Sequence, residues 1–199
     1  MNLVHVDRDG KLFRVTSRRD EVLAAALDLL DEVGLDALTT RKLAEKLGVQ
    51  PGALYRHFDS KRSLLHAMVA RLTLDADTGI EGDVPEDWAG MLRYAAIGAR
   101  ATVLTRRDGA RLMATYLVPA DETAQMFWRR LVGALSAAGF AESDALVAVD
   151  TTFAYVNGFA IEEQSRDGHP AEPGQRALRD KAFEAGLDLI IAGITASRS

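Results

Sequence analysis

The chain contains no cysteine, which excludes disulfides, thiolate nucleophiles and cysteine metal sites and suits a reducing compartment. Histidine is nearly as scarce. The four present, His5, His57, His66 and His169, stand at no metal-ligand spacing, so no zinc site is expected. There is no Gly-rich phosphate loop and no Gly-x-Ser-x-Gly nucleophile turn, so neither a cofactor nor an enzymatic activity is expected. No apolar run approaches the ~20 residues of a membrane span. The N-terminal Met-Asn-Leu-Val-His-Val-Asp-Arg-Asp lacks the apolar core of a signal peptide. These absences lead to the expectation of a cytoplasmic protein with no membrane partner.

What is present is helical periodicity. At 199 residues the chain can hold one or two domains and bury a full core. The patterning predicts an all-α protein in three parts: an N-terminal arm over 1–16, a three-helix head over 17–66 and a helical body over 67–199. In the arm, Val4-His5-Val6 and Leu12-Phe13-Arg14-Val15 flank Asp9-Gly10 and could form a hairpin, but a lone two-stranded ribbon is marginal in water, so a loosely docked arm is the favoured expectation. Ser17 and Asp20 resemble a capping box opening a helix to about Val33, with Val22, Leu23, Ala26, Leu27, Leu30 and Val33 on its buried face and Gly34 as its stop. Body helices are predicted at about 86–105, 109–115, 120–138, 142–164 and 175–196, with loops over 75–87 and 165–174.

The most informative stretch is Thr39 to Arg62. Leu43, Ala44 and Leu47 form an apolar stripe on a helix that begins at the Thr39/Thr40 cap and is ended by Gly48. Pro51 suits the first turn of the next helix. That helix, Pro51 to about His57, buries Leu54 and presents Gln50, Gly52, Ala53, Tyr55, Arg56 and His57, which is the layout of a helix-turn-helix reader. Lys61, Leu64, Leu65, Met68, Val69 and Leu72 then pattern a helix leading from head to body. Residues 39–62 carry 6 Lys/Arg against 2 Asp/Glu, a local +4, whereas 67–199 carry 13 against 19, a net of −6. A basic DNA footprint therefore survives on an acidic chain.

The run Leu-Thr-Thr-Arg-Lys-Leu-Ala-Glu-Lys-Leu-Gly-Val, followed by Leu54-Tyr55, His57 and Lys61-Arg62-x-Leu64-Leu65, resembles the DNA-binding domain of the tetracycline-repressor (TetR) family. The body resembles that family's tetracycline-repressor branch in Trp88 with Leu92-Arg93, Arg107-Asp108-Gly109-Ala110, Gly139-Phe140, Gly158 with Glu162, and Phe183-x-x-Gly186-Leu187-x-x-Ile190-Ile191-x-Gly193. The resemblance implies a homodimer with a C-terminal four-helix bundle, a double-stranded DNA operator and a small-molecule effector. Phosphate contacts are then expected from Thr40, Tyr55 and Lys61, and base-edge approach from Arg41, Gly52, Ala53, Arg56 and His57, with Gln50 and Pro51 opening the reading helix. Gly52-Ala53 stands where the tetracycline repressor has proline-threonine and Arg56 where it has tryptophan, so a different operator is expected. At the interface, Phe183, Gly186, Leu187, Ile190, Gly193 and Ile194 are the expected residues.

The resemblance breaks at the ligand. Ala95, Ala99 and Met113 stand where tetracycline repressors carry an asparagine, a phenylalanine and a magnesium-binding histidine. Ala154 replaces a second histidine and about Leu131 a glutamine, while Glu162 is retained. The remaining candidates, Tyr94, Met113, Tyr116, Phe127, Phe153 and Asn157, imply an apolar or aromatic effector. Asp150 joins the ligand-binding candidates as a buried acid on the apolar face of its helix, against a favoured reading as a surface or helix-paired carboxylate. The expected function is a ligand-responsive repressor. An enzyme or carrier with a vestigial head, and an architectural DNA binder without effector, are the alternatives.

Overall fold

The starts of three helices, at Ser17, Thr39 and Asp87, are set by side chains placed one turn ahead of the amides they accept from. Ser17 and Asp20 form the reciprocal box: the Asp20 amide donates to Ser17 Oγ and the Ser17 amide to Asp20 Oδ2, both at 3.1 Å. In the computed structural model, which describes residues 4–6, 12–14, 17–75, 83–116, 122–169 and 171–197, this box opens α1 (Arg18–Ala37). Gly34 leaves helical geometry inside α1 (φ 76, ψ 168), so the expected stop is a break before a last short turn. Two compact units divide at Met68/Val69.

The first unit begins with β1 (Val4–Val6) and β2 (Leu12–Arg14), paired antiparallel with Val4 opposite Arg14 and Val6 opposite Leu12. The hairpin alternative thus replaces the favoured arm over these strands; the rest of 1–16 lies outside the described residues. After α1 come α2 (Thr40–Leu47), α3 (Pro51–Leu54) and the start of α4 (Lys61–Asp75). Their core is made by Leu27, Leu30, Leu38, Leu43, Leu54, Phe58, Leu64 and Leu65. Val33 and Leu47, expected on buried faces, are only half-buried.

The second unit is built on α8 (Glu142–Asp167), a 26-residue helix that packs against α5 (Trp88–Leu104), α6 (Gly109–Tyr116), α7 (Glu122–Ala137) and α9 (Pro173–Ala196). Three apolar layers follow its length. Ala145, Ala148 and Val149 meet Met91, Leu92, Leu131 and Leu135 at one end; Val156 meets Ala96, Phe183 and Leu187 in the middle; Ala160 meets Val103, Leu104 and Ala110 at the other. The loop expected over 165–174 is shorter than predicted. Helical patterning continues through Ser165 and Arg166, and Pro173 starts α9 at its first turn, where a missing amide proton costs nothing. Among the described residues no helix is long and apolar enough to cross a membrane.

Candidate nucleic-acid interface and effector region

The reading surface is shaped by caps. Thr39 Oγ1 accepts from the Lys42 amide at 3.2 Å and starts α2, a contact worth about 1 kcal/mol. Gly48 ends α2 in the left-handed conformation (φ 65, ψ 30), where its amide reaches back to Glu45 O. Glycine takes that backbone without a Cβ penalty, so the chain turns at once into Gln50 and Pro51. Only Leu54 of α3 is buried, and α3 proper ends there, with Tyr55 to His57 forming a turn rather than the further helical turn expected. Phe58 then plugs the core below the turn, with the Arg19 guanidinium 4.9 Å from its ring centre.

This arrangement leaves Gln50, Pro51, Gly52, Tyr55 and Arg56 exposed, with Ala53 and His57 half-buried beside them. Thr40 is half-buried at the first position of α2. Arg41 is exposed and its Nε donates to Glu45 Oε1 at 3.1 Å, a surface pair weak enough to be exchanged for DNA. Lys61 is exposed at the start of α4, where Ser60 and Ser63 cap each other's amides at 3.0 Å. A cation beside amide-rich helix starts is suited to a phosphate backbone.

In the second unit the expected effector residues fall into separate places. Phe127 and Phe153 pack on the same apolar layer, Phe153 with its ring centre 5.6 Å from that of Trp128. Met113 belongs to another layer, beside Val103 and Ala160. Tyr94, Tyr116 and Asn157 are half-buried. Asp150 is exposed, in line with its favoured reading as a surface carboxylate and not with a buried acid. A surface groove of about 320 Å³ lies between α7 and α8, lined by Trp128, Val132, Gly133 and Leu146 with Arg129 and Glu142. None of the expected effector residues lines it.

Among the described residues the buried charges are Arg100 and Glu163, which sequence reading missed because each looks like one more charge on an amphipathic helix. Arg100 Nε and Nη2 grip Glu163 in a two-pronged pair at 2.9 Å each, and Nη1 donates to Asp180 Oδ1 at 2.7 Å. Gln164 joins the corner between α5 and α6: its Nε2 donates to Val103 O and Arg106 O, and its Oε1 accepts from the Ala110 amide. That corner is tight. Asp108 takes a positive φ of 54, and a Cβ added to Gly109 would lie 2.1 Å from Val103 O.

The expected interface residues lie largely within the chain's own core. Phe183 and Leu187 are enclosed by the chain's own α5 and α8, and Ile194 is buried and Ile190 packed on the first apolar layer. Gly186 admits Tyr155 of the same chain, whose hydroxyl donates to Phe183 O at 3.0 Å. Of the six, Gly193 alone is exposed. The outward face of α9 instead carries Leu178 and Leu189, 70% and 76% exposed, among alanines. The regular spacing of Leu178, Ala182, Ala185, Leu189, Ala192 and Ala196 was the signal available in the sequence.

Comparison with known proteins follows the same division. Residues 22–68 match the family described as bacterial regulatory proteins, tetR family, and residues 81–178 match the tetracyclin repressor-like C-terminal domain. The chain is 38% identical over 198 residues to the tetracycline repressor protein class A from transposon 1721 of Escherichia coli, covering 89% of this chain and 90% of that protein. Among solved structures, a glutamine-to-alanine variant of the repressor TetR from Acinetobacter baumannii AYE in complex with minocycline gives a TM-score of 0.78 at 37% identity, covering 92% of this chain and 98% of that one. BioQ with its natural double-stranded DNA operator gives 0.73 at 31% identity, covering 90% and 99%.

Proposed function

The chain belongs to the TetR family of bacterial regulatory proteins, and on that premise we propose that it is a homodimeric repressor released from a palindromic operator by a small apolar or aromatic effector. The observation that carries this reading is the exposed set Gln50, Gly52, Tyr55 and Arg56 at a glycine-ended turn, with Lys61 at the next helix start. Tyr55 and Lys61, with Thr40, contact phosphates and fix register; Arg41 and Arg56, with Gly52, Ala53 and His57, approach base edges.

Two copies place their readers on half-sites whose centres lie about 34–36 Å apart, or a near multiple. The copies join through the outward stripe of α9 containing Leu178 and Leu189. Leu189→Asp puts a carboxylate into that seam and yields monomer, as read by sedimentation. For DNA, footprinting upstream of the protein's own gene supplies the site. On it, Lys61→Ala lowers affinity alike for cognate and scrambled sequences and reduces the salt slope by about one unit, because one phosphate contact is removed. A salt slope equal to wild type overturns the phosphate role of Lys61, and a wild type that protects no DNA overturns the repressor reading.

The effector is held without a metal. Met113 and Ala154 offer no imidazole to magnesium, and Tyr94, Phe127 and Phe153 supply aromatic surface with the Asn157 amide for orientation. An effector must favour the DNA-incompetent state by about 5.5 kcal/mol to reverse occupancy from 1:99 to 99:1. Tetracycline with magnesium is therefore expected to leave the operator complex intact in a mobility-shift assay; release at micromolar drug overturns the metal-free effector while leaving DNA binding untouched.

A further inference from the structure

Helix α9 carries apolar residues on opposite faces. Phe183, Leu187 and Ile194 are buried against the chain's own helices, while Leu178, Ala182, Ala185, Leu189, Ala192 and Ala196 are exposed. The exposed set alternates steps of four and three residues, the spacing of a seam between helices. Apolar contact has no preferred direction, so burial alone would let the helix settle at more than one rotation about its axis. The polar contacts at its first half do have direction.

We propose that Arg100 is a positioning residue that sets the rotation of α9 and so decides which face the helix offers to a second copy of the chain; this rests on the homodimer reading above. Arg100 leaves α5 with its side chain 7% exposed, lying 4.9 Å from the Phe183 ring centre and 5.6 Å from that of Phe159. Its guanidinium is planar, with donors at fixed angles. With Nε and Nη2 committed to Glu163 on α8, the direction of Nη1 is settled, and Asp180 on α9 lies along it at 2.7 Å. Arg176, one turn earlier, holds the same Asp180 oxygen from its own helix at 3.4 Å.

Turning α9 by one residue, about 100°, would carry Asp180 away and leave a buried guanidinium short of a partner. A second directional contact lies one turn on, where the Tyr155 hydroxyl donates to Phe183 O and fills the space that a Cβ on Gly186 would take, 2.2 Å from it. These two contacts, together with the Arg93–Asp188 ion pair from α5, hold the Leu178 and Leu189 stripe outward.

A chain without cysteine allows clean disulfide cross-linking of the full-length protein. Ala185→Cys, Leu189→Cys and Ala192→Cys sample the outward stripe, and Glu184→Cys samples its flank. In the wild-type background the best of the three is expected to cross-link about ten-fold faster than Glu184→Cys. Asp180→Ala removes the partner on α9 while leaving the buried Arg100 and Glu163 pair whole, and Arg100→Lys keeps the charge without the fork. Both are expected to reduce the preference to below about three-fold. Loss in both supports the proposal; a ten-fold preference retained in either, with the dimer intact, overturns it. Where Arg100→Lys does not fold, Asp180→Ala decides alone. A monomeric wild type overturns the homodimer reading and this proposal with it. A residue that merely stabilised the body would lower the melting point and leave the cross-linking preference unchanged.

Discussion

In the DNA-reading unit most of the polar contacts that shape the surface span three or four residues, as from Thr39 to Lys42, Arg41 to Glu45 and Ser60 to Ser63, and the longest, Lys46 to Glu32, spans 14. In the body the corresponding contacts span 63 residues from Arg100 to Glu163, 80 from Arg100 to Asp180 and 54 to 61 around Gln164. A short-range cap can be lost with only its own turn disturbed. A long-range buried pair holds several helices together, so its loss spreads through the body. The head is accordingly a surface assembled from separable parts, and the body is a unit whose polar groups stand or fall together.

The largest expected effect tests the body. Glu163→Leu leaves the Arg100 guanidinium buried with Asp180 alone and should cost about 3–5 kcal/mol. Both tryptophans, Trp88 and Trp128, lie in the second unit, so a urea titration followed by their fluorescence reads the body alone. A midpoint equal to wild type would show the network to be dispensable. Leu54→Ala, at a 4% exposed site in the head, should cost about 2–5 kcal/mol and abolish operator binding while the tryptophan transition stays in place. A shift of that transition would show that the two units unfold as one.

Smaller changes sharpen the contrast. At Gly48 no atom lies within 4 Å of an added Cβ, so Gly48→Ala tests backbone conformation alone at φ 65. It should lower head stability by roughly 1–2 kcal/mol, seen as a drop in the thermal midpoint of operator binding. The smallest effect is alkaline. Burial raises the Tyr155 phenol above its ordinary value of 10.0, with the Arg100 charge partly opposing. The folded chain keeps that proton longer than the unfolded one, so the associated stability is whole below about pH 10 and is lost as pH rises through the raised value. Tyr155→Phe should remove this slope and cost about 1 kcal/mol at neutral pH for the lost hydrogen bond. Parallel alkaline melting curves for the two proteins would contradict it.

The sequence was legible where structure is decided locally. Ser17 with Asp20, Thr39, Gly48 and Pro51 announce the head because each acts on a neighbour within one turn. The order of body helices was legible from periodicity, and the end of α8 was not, since Ser165 is a weak helix former kept helical by the long helix before it. The family resemblance, with Phe183, Leu187, Ile190 and Ile194 on one apolar face, pointed to the inward face of α9 as an interface. In the folded chain Phe183, Leu187 and Ile194 are buried in its own core, and the face left exposed is the milder stripe of leucine and alanine. Arg100 could not be recognised, because its partners lie far along the chain and only the folded body brings them together.

Gln164 has a consequence for the order in which the chain takes shape. During synthesis the carbonyls of Val103 and Arg106 and the amide of Ala110 emerge more than fifty residues before the one side chain that joins them. Until then that corner has only its local turn contacts, such as the Gly109 amide on Arg106 O, and closing so long a loop carries an entropic penalty that the head never meets. The head can therefore acquire its final form while the ribosome is still making the body, and a nascent chain stopped before residue 164 would present a finished reader on an unfinished support.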